Sequence, residues 1–179
     1  MSKLNPPVHQ GDHFEGAANA ALTLVEYGDY QCPHCGAAFP IVKQIVTHWG
    51  DKLKFVFRNF PLSNAHPMAF PAAVAAEAAA RQNKYWEMHD AIFEHQKTLS
   101  PELLFLLAKN VGLDLEQFRN DIQDQDLEDM VNEDFESGIR SGVNGTPSFF
   151  INGDKYNGSY DYDSLQAALH AKVQHTHTH

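Results

Sequence analysis

The stretch that decides the fold reads Ala21-Leu-Thr-Leu-Val-Glu26-Tyr27-Gly28-Asp29-Tyr-Gln-Cys32-Pro33-His34-Cys35. Its first seven residues mix β-branched, aromatic and aliphatic side chains and stop at glycine, the pattern of a short buried strand. One acid, Glu26, lies among them, and its apolar neighbours predict that it is buried. Pro33 suits the first turn of a helix, where its missing N–H forfeits no bond. Phe39, Val42, Ile45, Val46 and Trp49 continue at helical spacing as far as Gly50. Leu53-Lys-Phe-Val-Phe-Arg-Asn-Phe60 reads as a second strand, so the opening is a strand–helix–strand unit.

Outward from that unit the pattern changes twice. Residues 66–142 read as helices almost throughout. Alanines dominate from Ala69 to Ala80, Ser100-Pro101 is an N-cap followed by a first-turn proline, and Asp114-x-x-Gln117 resembles a capping box. Five helices without a strand make a helical insert. After Gly142, Pro147-Ser-Phe-Phe-Ile151 reads as a strand and Asn152-Gly153 as a hairpin turn. Lys155–Asn157 is a short edge strand, and Asp163 is the expected cap of a last helix. Residues 1–18 are polar and rich in proline and glycine and read as an arm. The order is βαβ, helical insert, ββα.

A chain of 179 residues has the length of one domain, or of one domain with an insertion. With 43% hydrophobic and 20% charged residues it can bury a core and is not of the disordered class. No apolar run is long enough for a transmembrane helix. The net charge of −10 argues against nucleic acid and anionic membranes as partners. Nearly all of it comes from Asp114–Glu136, where ten acids face one base, Arg119; a solvated helix surface explains such a run. The start of the chain lacks the pattern of a secretory signal. The expected location is cytoplasmic as the sequence stands, and periplasmic if a signal has been removed. The tail, 175–179, alternates His with Thr and reads as a solvated end.

Two cysteines three residues apart at a helix start have three readings: a redox dithiol, half of a zinc site, or inert thiols. A structural zinc site needs about four ligands, and there is no second cysteine pair. Inert thiols tend to lie within apolar stretches, whereas these are flanked by Pro, His and Gly. The redox reading has a mechanism. Unpaired N–H groups and the positive dipole end at a helix N-terminus favour the thiolate of Cys32, and His34 can donate to it or carry a positive charge beside it. Cys35, one turn further in, should be more buried and keep its proton longer. If Cys32 had a pKa of ~4.5 instead of ~8.5, the reduced form would gain ~3.4 kcal/mol at pH 7 and the couple would become ~70 mV more oxidising.

Strand, Cys-Pro-His-Cys helix, strand, helical insert and Gly145-Thr146-Pro147 before a strand together resemble the DsbA-like branch of the thioredoxin superfamily. Phe57-Arg-Asn-Phe-Pro-Leu62, His66-Pro67 and Glu87-Met-His-Asp90 resemble its small thioredoxin-4-like members. The resemblance implies an α/β thioredoxin fold, βαβ–ββα, with an all-helical insertion between the second and third strands. The thioredoxin domain then comprises residues 19–62 and 143–174, and the insert 63–142. It implies that Cys32 is the nucleophile, Cys35 the resolving thiol, Pro33 and His34 the tuning dipeptide, and Glu26 a buried acid that helps proton transfer. Pro147 resembles the cis-proline facing the active site, and Thr146 the residue whose backbone pairs with substrate.

The implied activity is thiol–disulfide exchange with protein or peptide thiols, in the oxidising direction. It needs no metal and no cofactor beyond a Cys32–Cys35 disulfide, but it does need a redox recycling partner. Two alternatives stay open. One is a glutathione-dependent enzyme like the kappa-class transferases or related isomerases, against which Cys35 argues. The other is a non-catalytic peptide-binding module of the same fold.

Overall fold

The two strands expected around the cysteine helix are β2, Leu22–Gly28, and β3, Leu53–Asn59. Leu24, Val25, Tyr27, Phe55, Val56 and Phe57 are each at most 1% exposed, so these strands are covered on both faces, which explains their nearly continuous apolar runs. Between them runs α1, Pro33–Trp49. The computed structural model describes residues 2–177, and side chains as far as residue 174. The histidines of the 175–179 tail lie outside the described side chains.

The sheet has five strands in the order β1-β3-β2-β4-β5. β1, His13–Gly16, runs antiparallel to β3, from His13 opposite Phe57 to Gly16 opposite Lys54. β4, Ser148–Ile151, runs antiparallel to β2, with Glu26 opposite Phe149 and Tyr27 opposite Ser148. β5, Asp154–Tyr156, completes the hairpin that Asn152-Gly153 predicts. Both turn residues have positive φ, 49° and 86°, as a two-residue turn matched to strand twist requires.

Five helices lie between β3 and β4: α2 (Ala69–Ala80), α3 (Tyr85–Glu94), α4 (Pro101–Asn110), α5 (Leu115–Asp121) and α6 (Gln125–Arg140). Ser100 and Asp114 cap α4 and α5 as their sequences suggest, accepting from the N–H groups of Leu103 and Gln117. The last helix, α7, spans Tyr162–His177 and lies against β2. Its cap is Asp161, not Asp163. Asp161 Oδ1 accepts the Ser164 N–H at 2.9 Å, and its carbonyl accepts the Leu165 N–H. The helix therefore begins earlier, and Asp163 falls in its first turn, where an acid still suits the dipole.

The chain forms two compact units. The first comprises residues 1–28, 37–58 and 137–179, and contains the sheet. The second comprises residues 29–36 and 59–136. Within the second, Ala72, Ala73, Ala75, Ala76, Ala78 and Ala79 of α2 are each at most 1% exposed. Their small side chains let α3, α4 and α5 approach this helix closely. Phe60 and Phe135 stack in the same unit with ring centroids 4.4 Å apart.

The stretch read as an arm contributes β1 to the sheet, and a buried charge accounts for its order. Arg58, 1% exposed, donates through Nε and Nη2 to the two carboxylate oxygens of Asp12, both at 2.9 Å. It also donates to the Tyr27 hydroxyl and the Pro7 carbonyl. Burial alone would raise the Asp12 pKa, but the hydrogen bond and charge of Arg58 outweigh it and hold that carboxyl below the usual range. The pair's contribution is therefore complete above the unfolded carboxyl pKa of ~3.9 and is lost as pH falls through the lower folded value. Asp12→Asn leaves the buried guanidinium without its counter-charge and should cost about 3–5 kcal/mol in urea unfolding at pH 7. The loss should shrink as the wild type is titrated below ~pH 3.9; equal urea midpoints at pH 7 would contradict this account of the arm.

Candidate active site

Cys32 is the N-cap of α1: its carbonyl accepts the Gly36 N–H at 3.0 Å, the first bond of the helix. Pro33 follows in the first turn. Cys32 and Cys35 lie 4.0 Å apart, on successive turns of one helix face, and both are buried. Cys32 is 4% exposed and Cys35 is fully covered. Cys35 is thus the more buried of the pair, and Cys32 is nearly covered too. Pro33 and His34 are exposed beside them.

The loop entering the helix is organised by Asp29, whose side chain is wholly buried. Its Oδ1 accepts the N–H groups of Gln31 at 2.7 Å and Cys32 at 3.1 Å. Its Oδ2 accepts the Leu62 N–H at 2.9 Å and pairs with His66 Nδ1 at 2.8 Å. A carboxylate has only acceptors to offer, so His66 carries the shared proton on Nδ1. The backbone N–H of Asp29 points at Cys35, 3.4 Å from its Sγ.

Two amide side chains complete the frame. Gln31 Oε1 accepts the Met68 N–H just before α2. Gln96 donates its Nε2 to the carbonyls of Cys32 at 2.7 Å and Tyr30 at 3.1 Å. Gly36 leaves room for it, since a Cβ there would come within 2.1 Å of Gln96 Oε1. Behind the loop, the Tyr30 hydroxyl meets His89 Nδ1 at 2.8 Å and the Tyr85 hydroxyl at 3.3 Å. Burial first, then Tyr30 and the acids Glu77 and Asp134, push the Tyr85 phenol well above its ordinary pKa. Tyr85 is therefore neutral at physiological pH. Among the described residues, no group of three or more His, Cys, Asp or Glu is placed to hold a metal ion.

The other residues singled out in the sequence belong to the first unit. Glu26 is 3% exposed in β2, buried as its neighbours suggest, with Gly28 at its side. Thr146–Pro147 is a cis peptide and is half-buried. Pro147 sits one residue beyond the β2–β4 ladder, which ends with Tyr27 opposite Ser148. Sequence reasoning missed Asp29, Gln31 and Gln96, and marked His66 only as part of the His66-Pro67 resemblance. The backbone of His66 accepts the Ala69 N–H, and its side chain turns to Asp29. An acid between a strand and a Cys-x-x-Cys helix is a signal for such a hub, although its partners cannot be read from it.

A family model described as thioredoxin, Thioredoxin_4, matches residues 9–171. Among solved structures, the chain is similar to the thiol–disulfide exchange protein α-DsbA2 of Wolbachia pipientis. That likeness has a TM-score of 0.80 and 28% identity over 89% of this chain and 86% of that one. It is also similar to oxidised BdbD of Bacillus subtilis, with a TM-score of 0.83 and 25% identity over 97% of this chain and 98% of that one. Among curated proteins, it is 42% identical to "Na(+)/H(+) antiporter NhaA 1" of Salinispora arenicola over 88% of this chain and 24% of that protein. It is 39% identical to an NhaA antiporter of Herminiimonas arsenicoxydans over 98% of this chain and 28% of that protein. The chain spans about a quarter of the length of these relatives. No helix among its described residues is long and apolar enough to cross a membrane.

Proposed function

Because this chain belongs to the thioredoxin family and is DsbA-like, a thiol–disulfide oxidoreductase by fold, we propose that Cys32 and Cys35 exchange disulfides with thiols of proteins or peptides, in the oxidising direction. The observation that carries the reading is Cys32 at the N-cap of α1 with Cys35 4.0 Å away on the next turn. Antiport, named for the longer relatives, stays with those proteins.

The cycle begins with the Cys32–Cys35 disulfide. A substrate thiolate attacks Cys32 Sγ, the bond to Cys35 breaks, and Cys35 leaves as a thiolate that takes up a proton. A second substrate thiolate then attacks the substrate sulfur of the mixed disulfide. Cys32 leaves as a thiolate, and the substrate has passed two electrons to the enzyme; of the two protons its thiols released on becoming thiolates, Cys35 has taken up one and solvent keeps the other. The leaving group in this second step faces the N–H groups and positive dipole end of α1, which lower the energy of the thiolate and drive the exchange toward oxidised substrate. The enzyme's own disulfide supplies the redox chemistry without a further cofactor, and a recycling partner must reoxidise it. Glu26, Thr146 and Pro147 keep in this proposal the roles that the resemblance implies.

Cys35→Ala, activated as a mixed disulfide on Cys32 and mixed with a reduced peptide that carries a single thiol, should exchange its small-molecule cap for the peptide at Cys32. Mass spectrometry should find that adduct on Cys32 alone. Equal labelling of both cysteines in the reduced wild type would contradict the assigned roles.

His34 is exposed beside Cys32 and offers a donor, and when protonated a positive charge, that favours only the thiolate. His34→Ser should raise the Cys32 pKa by about one unit, read from thiolate absorbance against pH, with the unfolding midpoint unchanged. A superimposable titration would make the histidine a bystander.

A further inference from the structure

Asp29 lies outside the Cys-Pro-His-Cys motif, yet its carboxylate and backbone N–H reach Gln31, Cys32, Cys35, Leu62 and His66. We propose that Asp29, held by His66, is the positioning residue for the resolving step, setting Cys35 in line to attack the Cys32 mixed disulfide. The inference rests on the thiol–disulfide exchange proposed above and names a further residue for it.

The geometry assigns Asp29 two tasks. Its backbone N–H donates to Cys35 Sγ at 3.4 Å. A donor aimed at sulfur favours the charged, attacking form over the neutral thiol. Its carboxylate fixes where that N–H points. Oδ1 closes the turn onto Gln31 and Cys32, so the N-cap cysteine and the N–H aimed at Cys35 belong to one rigid loop. Oδ2 ties this loop to Leu62 and His66, more than thirty residues further along the chain.

A carboxylate bound to the backbone N–H of Cys32 would by itself oppose a thiolate on that residue, because like charges repel. Four N–H groups around it spread that charge over the loop and the imidazole, so the anchor holds position without that repulsion dominating. In-line attack on a disulfide is sensitive to displacement: an error of ~1 Å costs on the order of a hundredfold in rate. A loop released from Leu62 and His66 therefore loses the resolving step first, because the first attack involves only Cys32 and an incoming partner.

His66 gives access to this device without dismantling the core, since its side chain is 21% exposed whereas that of Asp29 is wholly buried. His66→Asn places an amide Nδ2 where the ring Nδ1 stood and keeps a donor to Oδ2. His66→Ala removes the donor.

The test follows the reduced protein with oxidised glutathione, quenched in acid at intervals and weighed by mass spectrometry. Cys32 thiolate attacks one glutathione sulfur and releases the first reduced glutathione. Cys35 then attacks Cys32 Sγ, forms the internal disulfide and releases the second, so two electrons pass from the protein to glutathione. Asp29→Ala should slow decay of the Cys32–glutathione adduct at least about tenfold while its formation changes by less than about threefold. His66→Ala should slow the same step, and His66→Asn should recover most of the loss. Adduct decay at the wild-type rate in Asp29→Ala, or in His66→Ala should Asp29→Ala fail to fold, overturns the inference. Equal slowing of both steps in His66→Ala also overturns it, since that marks general loss of order. A wild type that forms neither the adduct nor the internal disulfide overturns the exchange reading itself, and that outcome is read without any variant.

Discussion

Four N–H groups converge on one buried carboxylate, that of Asp29, and the entrance to the dithiol helix depends on them. An ionised acid out of water is costly unless its lone pairs are filled. Here they are filled by Gln31, Cys32, Leu62 and His66. Two of these donors belong to the turn before α1 and two to the connection between β3 and α2. Neither segment has regular structure to absorb its own backbone groups, so each settles part of its hydrogen-bonding requirement on the other. The placing of Cys32, and of the N–H aimed at Cys35, follows from a loop whose shape is set by one charge.

The first unit uses the same device with the opposite sign. Arg58, the largest fully buried side chain, gathers Asp12, Tyr27 and the Pro7 carbonyl. In doing so it fixes a polar N-terminal stretch that has few apolar side chains to bury. Apolar burial holds the strands and helices of both units, while a single satisfied ion in each organises the irregular segments. The acidic run along α5 and α6 is partly answered as well. Arg81, at the end of α2, reaches Asp121 and Asp124, an exposed network of modest worth.

Much of this was legible in the residues. The apolar runs around Leu24 and Phe55, the alanines of α2, the caps at Ser100 and Asp114, and Asn152-Gly153 each carry a local physical signal. The structure repeats those signals in place. Cys-x-x-Cys ahead of a helix likewise located the dithiol, because the requirement for a thiolate at a helix N-terminus is itself local. β1 was not legible: His13–Gly16 shows no apolar alternation, and it becomes a strand by pairing with β3 and by the hold of Arg58 on Asp12. Asp161 and Asp163 are equivalent as letters, and only the first turn of α7 separates them. Asp29 resembles any turn acid, because its defining partners are 33 and 37 residues away. Gln96 is 64 residues from the carbonyl it serves. Local pattern carries elements and motifs well, but it does not carry polar contacts across that separation.

The measurement that bears most directly on an oxidising dithiol at the N-terminus of α1 is the equilibrium potential of the Cys32–Cys35 couple against glutathione. A helix start that favours the Cys32 thiolate stabilises the reduced form, and the account predicts a potential between about −180 and about −120 mV, in the range of protein-disulfide oxidants and isomerases. A value near the ~−270 mV of a reductant of the thioredoxin type would mean that the helix start and His34 do not favour the thiolate. That result would contradict the oxidising direction proposed for this chain.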